Sequence, residues 1–157
     1  MSRPDAGRTG GARRPRSPDQ PCALIADDDA NVRAALSAAV CLVGLASVTV
    51  EDGRQAIQML ADLRPSLVLL DVQLPGLSGI EVCWWIRRQR HLAGVPVILL
   101  SARTSQFEID AGLLAGANHY VTKPITSAHI TALVAHHLVG RPPLPPPARV
   151  IITDPAD

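Results

Sequence analysis

"LVLLD", residues 67–71, is an unbroken run of branched apolar side chains closed by a carboxylate. A short run with no polar alternation fits a strand that is covered on both faces, as in a parallel sheet. Comparable runs lie on either side of it: "CALIA" at 22–26, "LASVTV" at 45–50, "VPVILL" at 95–100 and "HYV" at 119–121. Each is followed by a segment with helical spacing, at 30–43, 54–64, 80–90, 104–115 and 126–139. Five β–α units in succession predict a parallel five-stranded sheet with helices on both faces, an α/β doubly wound domain over residues 21–139. The punctuation agrees. Gly44, Gly94 and Gly116 follow the helical segments, where a left-handed C-cap is wanted. Pro65 and Pro96 stand where a helix cannot continue.

The flanks have a different character. Residues 1–20 are rich in Arg, Gly, Pro and Ser and nearly free of large apolar side chains, so they are expected to be a disordered tail. Residues 140–157 begin "GRPPLPPPAR", a proline-rich tail suited to polyproline II. The formal net charge of +1 supplies no basic field for nucleic acid or an anionic membrane surface. No apolar run approaches the roughly 20 residues of a membrane span, and the N-terminus lacks the apolar core of a secretory signal. Cys22, Cys41 and Cys83 each sit in an apolar stretch, which fits buried, reduced thiols in a cytoplasmic protein.

In doubly wound sheets, ligands bind beyond the carboxyl ends of the strands. Asp27, Asp28 and Asp29 follow the first run, Asp71 the third and Ser101 the fourth, while Thr122 and Lys123 follow the fifth. Glu51 and Asp52 end the second, which such a fold places at the margin. Carboxylates converging from two strands need a cation to remain ionised together. Oxygen-only ligation with room left for water suits Mg²⁺. A magnesium site beside a carboxylate, a hydroxyl and an ammonium is equipped for phosphoryl transfer, with Asp71 as the nucleophile. No Gly-rich phosphate loop follows the first run, so the donor is expected on a partner rather than as a bound nucleotide. Lys123 is also the single lysine of the chain, against 14 arginines.

Over residues 22–139 the chain resembles the receiver domain of bacterial two-component response regulators. The likeness rests on "LIADDDANVR", "LVLLDVQLPGLSGIEV", "VILLSAR" and "GANHYVTKPI". It implies a flavodoxin-like (βα)5 fold with strand order 2-1-3-4-5 and Mg²⁺ as cofactor. The metal would be held by Asp27, Asp28, Asp71 and the backbone carbonyl of Gln73. Asp71 would be the aspartate phosphorylated by a histidine kinase or phosphotransfer protein. Ser101 and Tyr120 would be the hydroxyl and aromatic switch residues, Lys123 the phosphate ligand, and Lys123–Pro124 a cis bond. Gln73 and Arg103 stand where the family tunes phosphate lifetime. The implied mechanism is a population shift that reshapes the surface of the fourth helix, fifth strand and fifth helix. Such a domain catalyses only its own phosphorylation and dephosphorylation.

Some residues depart from the family pattern. Asn118 and His119 replace acids that many transcription-factor receivers use in a charge-paired dimer, and the fifth helix lacks arginine and lysine. His129, His136 and His137 show no metal spacing with a third ligand and read as surface residues. With 18 residues after Val139, no DNA-binding module is expected, so output would run through an unidentified protein target or a phosphate shuttle. On the third helix the buried stripe should pass through Val82, Cys83 and Ile86. That leaves Trp84 nearly opposite, as a contact for a partner or for a second subunit in a homodimer, and Trp85 on the flank. Two other readings compete: a scaffold working by phosphate-independent contacts, and an Asp-nucleophile phosphatase. The second lacks an acid two residues past the nucleophile, where Gln73 stands.

Overall fold

The computed structural model describes residues 20–103 and 105–138. Apart from Gln20, the two expected tails lie outside these residues. Five strands alternate with five helices: β1 (Cys22–Ala26), α1 (Ala30–Leu42), β2 (Ala46–Val50), α2 (Gly53–Leu60), β3 (Leu67–Asp71), α3 (Gly79–Arg88), β4 (Val97–Ser101), α4 (Gln106–Leu114), β5 (His119–Thr122) and α5 (Ser127–Leu138). All neighbouring strands are parallel, in the order β2-β1-β3-β4-β5. This is the flavodoxin-like arrangement, with the chain reversing its direction of travel between β1 and β3.

The unbroken apolar runs are explained by two cores, one on each face of the sheet. Leu24, Val68, Leu70 and Leu99 pack against Leu60, Val82, Ile86 and Ile109 of α2, α3 and α4. Ile25, Leu67, Leu69 and Leu100 pack against Leu36, Val40, Ile130 and Val134 of α1 and α5. Every residue of β1, β3, β4 and β5 is buried. Each fully buried Leu or Ile contributes about 1.5–3 kcal/mol relative to exposure, so these strands dominate the stability.

Side-chain caps start the helices. Asp29, Asp52, Ser78 and Ser105 cap α1 to α4, and Ser78 forms a capping box with Glu81. Gly44 and Gly116 adopt positive φ after α1 and α4, as expected. Gly94 does not. α3 stops at Arg88 with an extended Gln89, and turns over 90–94 intervene, so no left-handed cap is required there. α2 likewise ends at Leu60 rather than 64, ahead of the Pro65 that bars further helix. Cys22 and Cys83 are buried, but Cys41 is exposed because it falls on the solvent face of α1.

Candidate functional site

The register β1–β3–β4–β5 pairs Ala26 with Leu70, Asp71 with Leu100 and Ser101 with Thr122. The next residues of the central strands therefore emerge on one edge, at the reversal between β1 and β3. Carboxylate oxygens of Asp27, Asp28 and Asp71 lie within 4.8 Å of one another. Asp27 is fully buried and Asp71 is 5% exposed, whereas Asp28 faces solvent.

Lys123 reaches this cluster from the end of β5. Its Nζ lies 2.7 Å from Asp27 Oδ2 and 3.5 Å from Asp71 Oδ2, so one ammonium spans both carboxylates. The other oxygens are also engaged: Asp29 N–H donates to Asp27 Oδ1 at 2.9 Å, and Gln73 N–H donates to Asp71 Oδ1 at 3.2 Å. Arg33 Nη1 donates to the Asp27 carbonyl at 2.8 Å, fixing the turn that carries the acids. Burial pushes the Asp71 carboxyl above the usual carboxylate range, and the Asp27 charge adds to this, while Lys123 and the Gln73 N–H pull it back. For Lys123, burial opposes the ammonium, but its bond to Asp27 and the charges of both acids outweigh that and raise its pKa.

Ser101 is buried at the end of β4, and its Oγ accepts from Arg103 N–H at 3.0 Å. Tyr120 is fully buried, its hydroxyl donating to the Arg103 carbonyl at 3.2 Å. One short loop thus touches both side chains. The Gln73 amide, turned with its oxygen toward Arg103, accepts from the guanidinium Nε and Nη2 across the mouth of the site. The Lys123–Pro124 bond is cis. The residues expected at this edge are gathered here, and Trp84, expected on the outer face of the third helix, lies on α3 away from it.

Residue reasoning missed Gly79. A Cβ there would run into the Asp71 carbonyl, so only glycine lets the start of α3 lie against the end of β3. Its place directly after the Ser78 cap gives no sign of this, because the obstructing carbonyl belongs to β3.

On α3, Trp84 is 54% exposed while Val82, Cys83 and Ile86 are fully buried, as the helical spacing predicts. Arg88 stacks over the Trp84 ring, 4.4 Å from its centre. An apolar groove of about 330 Å³ runs beside it, between α3 and α4, lined by Ile80, Trp84, Ala111 and Leu114 among others. The histidines of α5 depart from expectation. His136 and His137 are half-buried rather than on the surface, because the last turns of α5 pack over the start of β5, where His119 is buried.

The domain matches known proteins closely. Residues 23–135 fit the family described as "Response regulator receiver domain". The DNA-binding response regulator MtrA of Mycobacterium tuberculosis is 37% identical over 115 residues, which is 73% of this chain and 49% of that protein. The transcriptional regulatory protein CseB of Streptomyces coelicolor is 40% identical over 116 residues, covering 74% of this chain and 48% of its own. The chain thus spans about half the length of the curated relatives it matches. Among solved structures, the chemotaxis response regulator CheY4 of Vibrio cholerae superposes with a TM-score of 0.71 over 76% of this chain and 99% of its own; at 24% identity this speaks to the fold. The receiver domain of a sensor histidine kinase from Pseudomonas aeruginosa is 28% identical, with a TM-score of 0.68 over 74% of this chain and 96% of its own. That structure has a magnesium ion coordinated in its active-site cleft.

Proposed function

The chain belongs to the response regulator receiver domain family, and from that premise we propose that it is a phosphorylation-dependent switch with Asp71 as phosphoacceptor. Receiver domains are signalling switches rather than classical enzymes, and as a family they work with histidine kinases. The observation that carries the assignment is the position of Lys123 Nζ, 2.7 Å from Asp27 and 3.5 Å from Asp71 within a cluster of three acids.

In this reading a carboxylate oxygen of Asp71 attacks the phosphorus of a phosphohistidine. The phosphorus–nitrogen bond breaks, its electron pair stays on the imidazole, and an acyl phosphate forms. Asp27, Asp28, Asp71 and the Gln73 carbonyl would hold Mg²⁺; the oxygen-only donor set and the crowding of three carboxylates fit that ion. When bound, the ion neutralises charge on the phosphoryl oxygens. Lys123 shifts its ammonium from the carboxylates to a phosphoryl oxygen. Ser101 turns its hydroxyl to another, giving up its bond from Arg103 N–H. That loop also holds the Tyr120 hydroxyl, so the change at Ser101 reaches the α4–β5–α5 face. Gln73 and Arg103, bridged across the mouth, govern access of hydrolytic water to the acyl phosphate.

Output from the described domain would run through protein contacts, and Trp84 beside its apolar groove is the anchor we assign to a partner protein. Unchanged partner binding and self-association after Trp84→Ala would remove that role. The switch itself is tested with Mg²⁺ and beryllofluoride, a phosphoryl mimic. Backbone NMR shifts should concentrate at Ser101, Tyr120 and α4–β5–α5 and vanish in Asp71→Asn. A spectrum that does not respond would indicate a scaffold working by fixed contacts.

A further inference from the structure

Strand β5 and the last turns of α5 bring three imidazoles together at the edge of the sheet. The His119 and His137 rings lie 5.0 Å apart between centres, and the His137 and His136 rings 5.2 Å apart. His119 is only 4% exposed. His119 Nδ1 and His137 Nε2 are both buried, and neither has a hydrogen-bond partner. A buried imidazole nitrogen without a partner is costly, and a metal ion or an ordered water satisfies it.

The spacing of the ring centres is compatible with ligands on one ion. With a metal–nitrogen bond of about 2.0–2.1 Å, each ring centre stands about 3.2 Å from the metal, and two such rings at the tetrahedral angle are separated by about 5.2 Å. Burial, then the charges of His136 and His129, push His119 below the usual histidine range, and burial with the charges of His119 and His136 pulls His137 down to about 4. Both rings are therefore neutral at pH 7, as ligation requires, and a metal need not displace a proton. Among the described residues no carboxylate pairs with either ring.

We propose that His119 and His137, with His136 as a third imidazole, bind a divalent transition metal of the Zn²⁺ class and staple α5 onto β5. Imidazole favours such metals over Mg²⁺, so this site and the carboxylate cluster select different ions. The nitrogen atoms of the three rings do not meet at one point, so ligation requires side-chain rotation within the cluster. Water fills the remaining position. The site stands independently of the phosphorylation reading, because none of its ligands belongs to the carboxylate edge.

The test uses the full chain without an affinity tag, in saturating Mg²⁺, titrated with Zn²⁺ by calorimetry. One Zn²⁺ per chain should bind, with a raised Tm. Affinity should fall roughly tenfold or more in both His119→Phe and His137→Phe, with folding checked by circular dichroism. Cys41→Ser and Asp71→Asn should bind as the wild type does. The wild type alone gives a second reading, because the ring resonances of His119 and His137 should shift at one equivalent of Zn²⁺. The proposal is overturned if no stoichiometric binding occurs, if Cys41→Ser abolishes it, or if zinc binds while both rings keep their resonances.

Discussion

Lys123 explains why one lysine stands among so many arginines. Its compact ammonium lies 2.7 Å from Asp27 and 3.5 Å from Asp71, and in the proposed switch it would move onto a single phosphoryl oxygen. A guanidinium is a broad planar fork that prefers bidentate partners and needs more room. Lys123→Arg should therefore fold and keep its carboxylate cluster, yet fail to couple phosphorylation to the NMR response of Tyr120; a normal response would remove the assigned role. Asp71 shows the opposite side of the same electrostatics. Its pKa is raised, so the folded state favours the protonated acid, and any stabilisation from it is complete only below its unfolded pKa and is lost as pH rises through the folded one. At neutral pH the carboxylate is thus a cost to folding, and Asp71→Asn should raise the Tm by several degrees in metal-free buffer. An unchanged or lowered Tm would contradict this account of the site.

At the scale of elements, the strand runs and their terminal acids were legible because parallel strands buried on both faces must be apolar throughout. The helix faces were equally legible, as Trp84 shows. Contacts between distant elements were not. Arg87 of α3 donates to the carbonyls of Ala93, Val95 and Gly116 and to Asn118 Oδ1, tying the segments before β4 and β5 to α3. Nothing in its local sequence separates it from the neighbouring Arg88, which instead stacks on Trp84. The histidines of α5 failed as surface residues for the same reason, since His119 arrives from another element. Their pKa values carry a consequence for the β5–α5 contact. Folding favours neutral His119 and His137, so their stabilisation is present above the unfolded value near 6.5 and is lost as pH falls toward about 4. The urea midpoint should drop across that window, and the drop should be smaller in His137→Gln. An identical pH profile in that variant would contradict the packing of α5 over β5 as the source.

For the molecule as a whole, fold and site are consequences of one pattern, the succession of β–α units whose strand ends share an edge. The order β2-β1-β3-β4-β5 places β1 and β3 side by side, and that adjacency brings Asp27 and Asp28 against Asp71. Residue types and their order along the chain were enough to anticipate this edge. The resemblance to receivers supplied the strand order and the individual roles, which spacing alone leaves open. The glycine packed on Asp71 and the paired imidazoles needed three dimensions, because each depends on a backbone or ring contributed by another segment. Phosphorylation of Asp71 is the central step of the proposed switch. Intact-mass measurement after incubation with acetyl phosphate and Mg²⁺ should show one added phosphoryl group in the wild type and none in Asp71→Asn. A wild type that gains no mass, or an Asp71→Asn variant that gains as much, would contradict it.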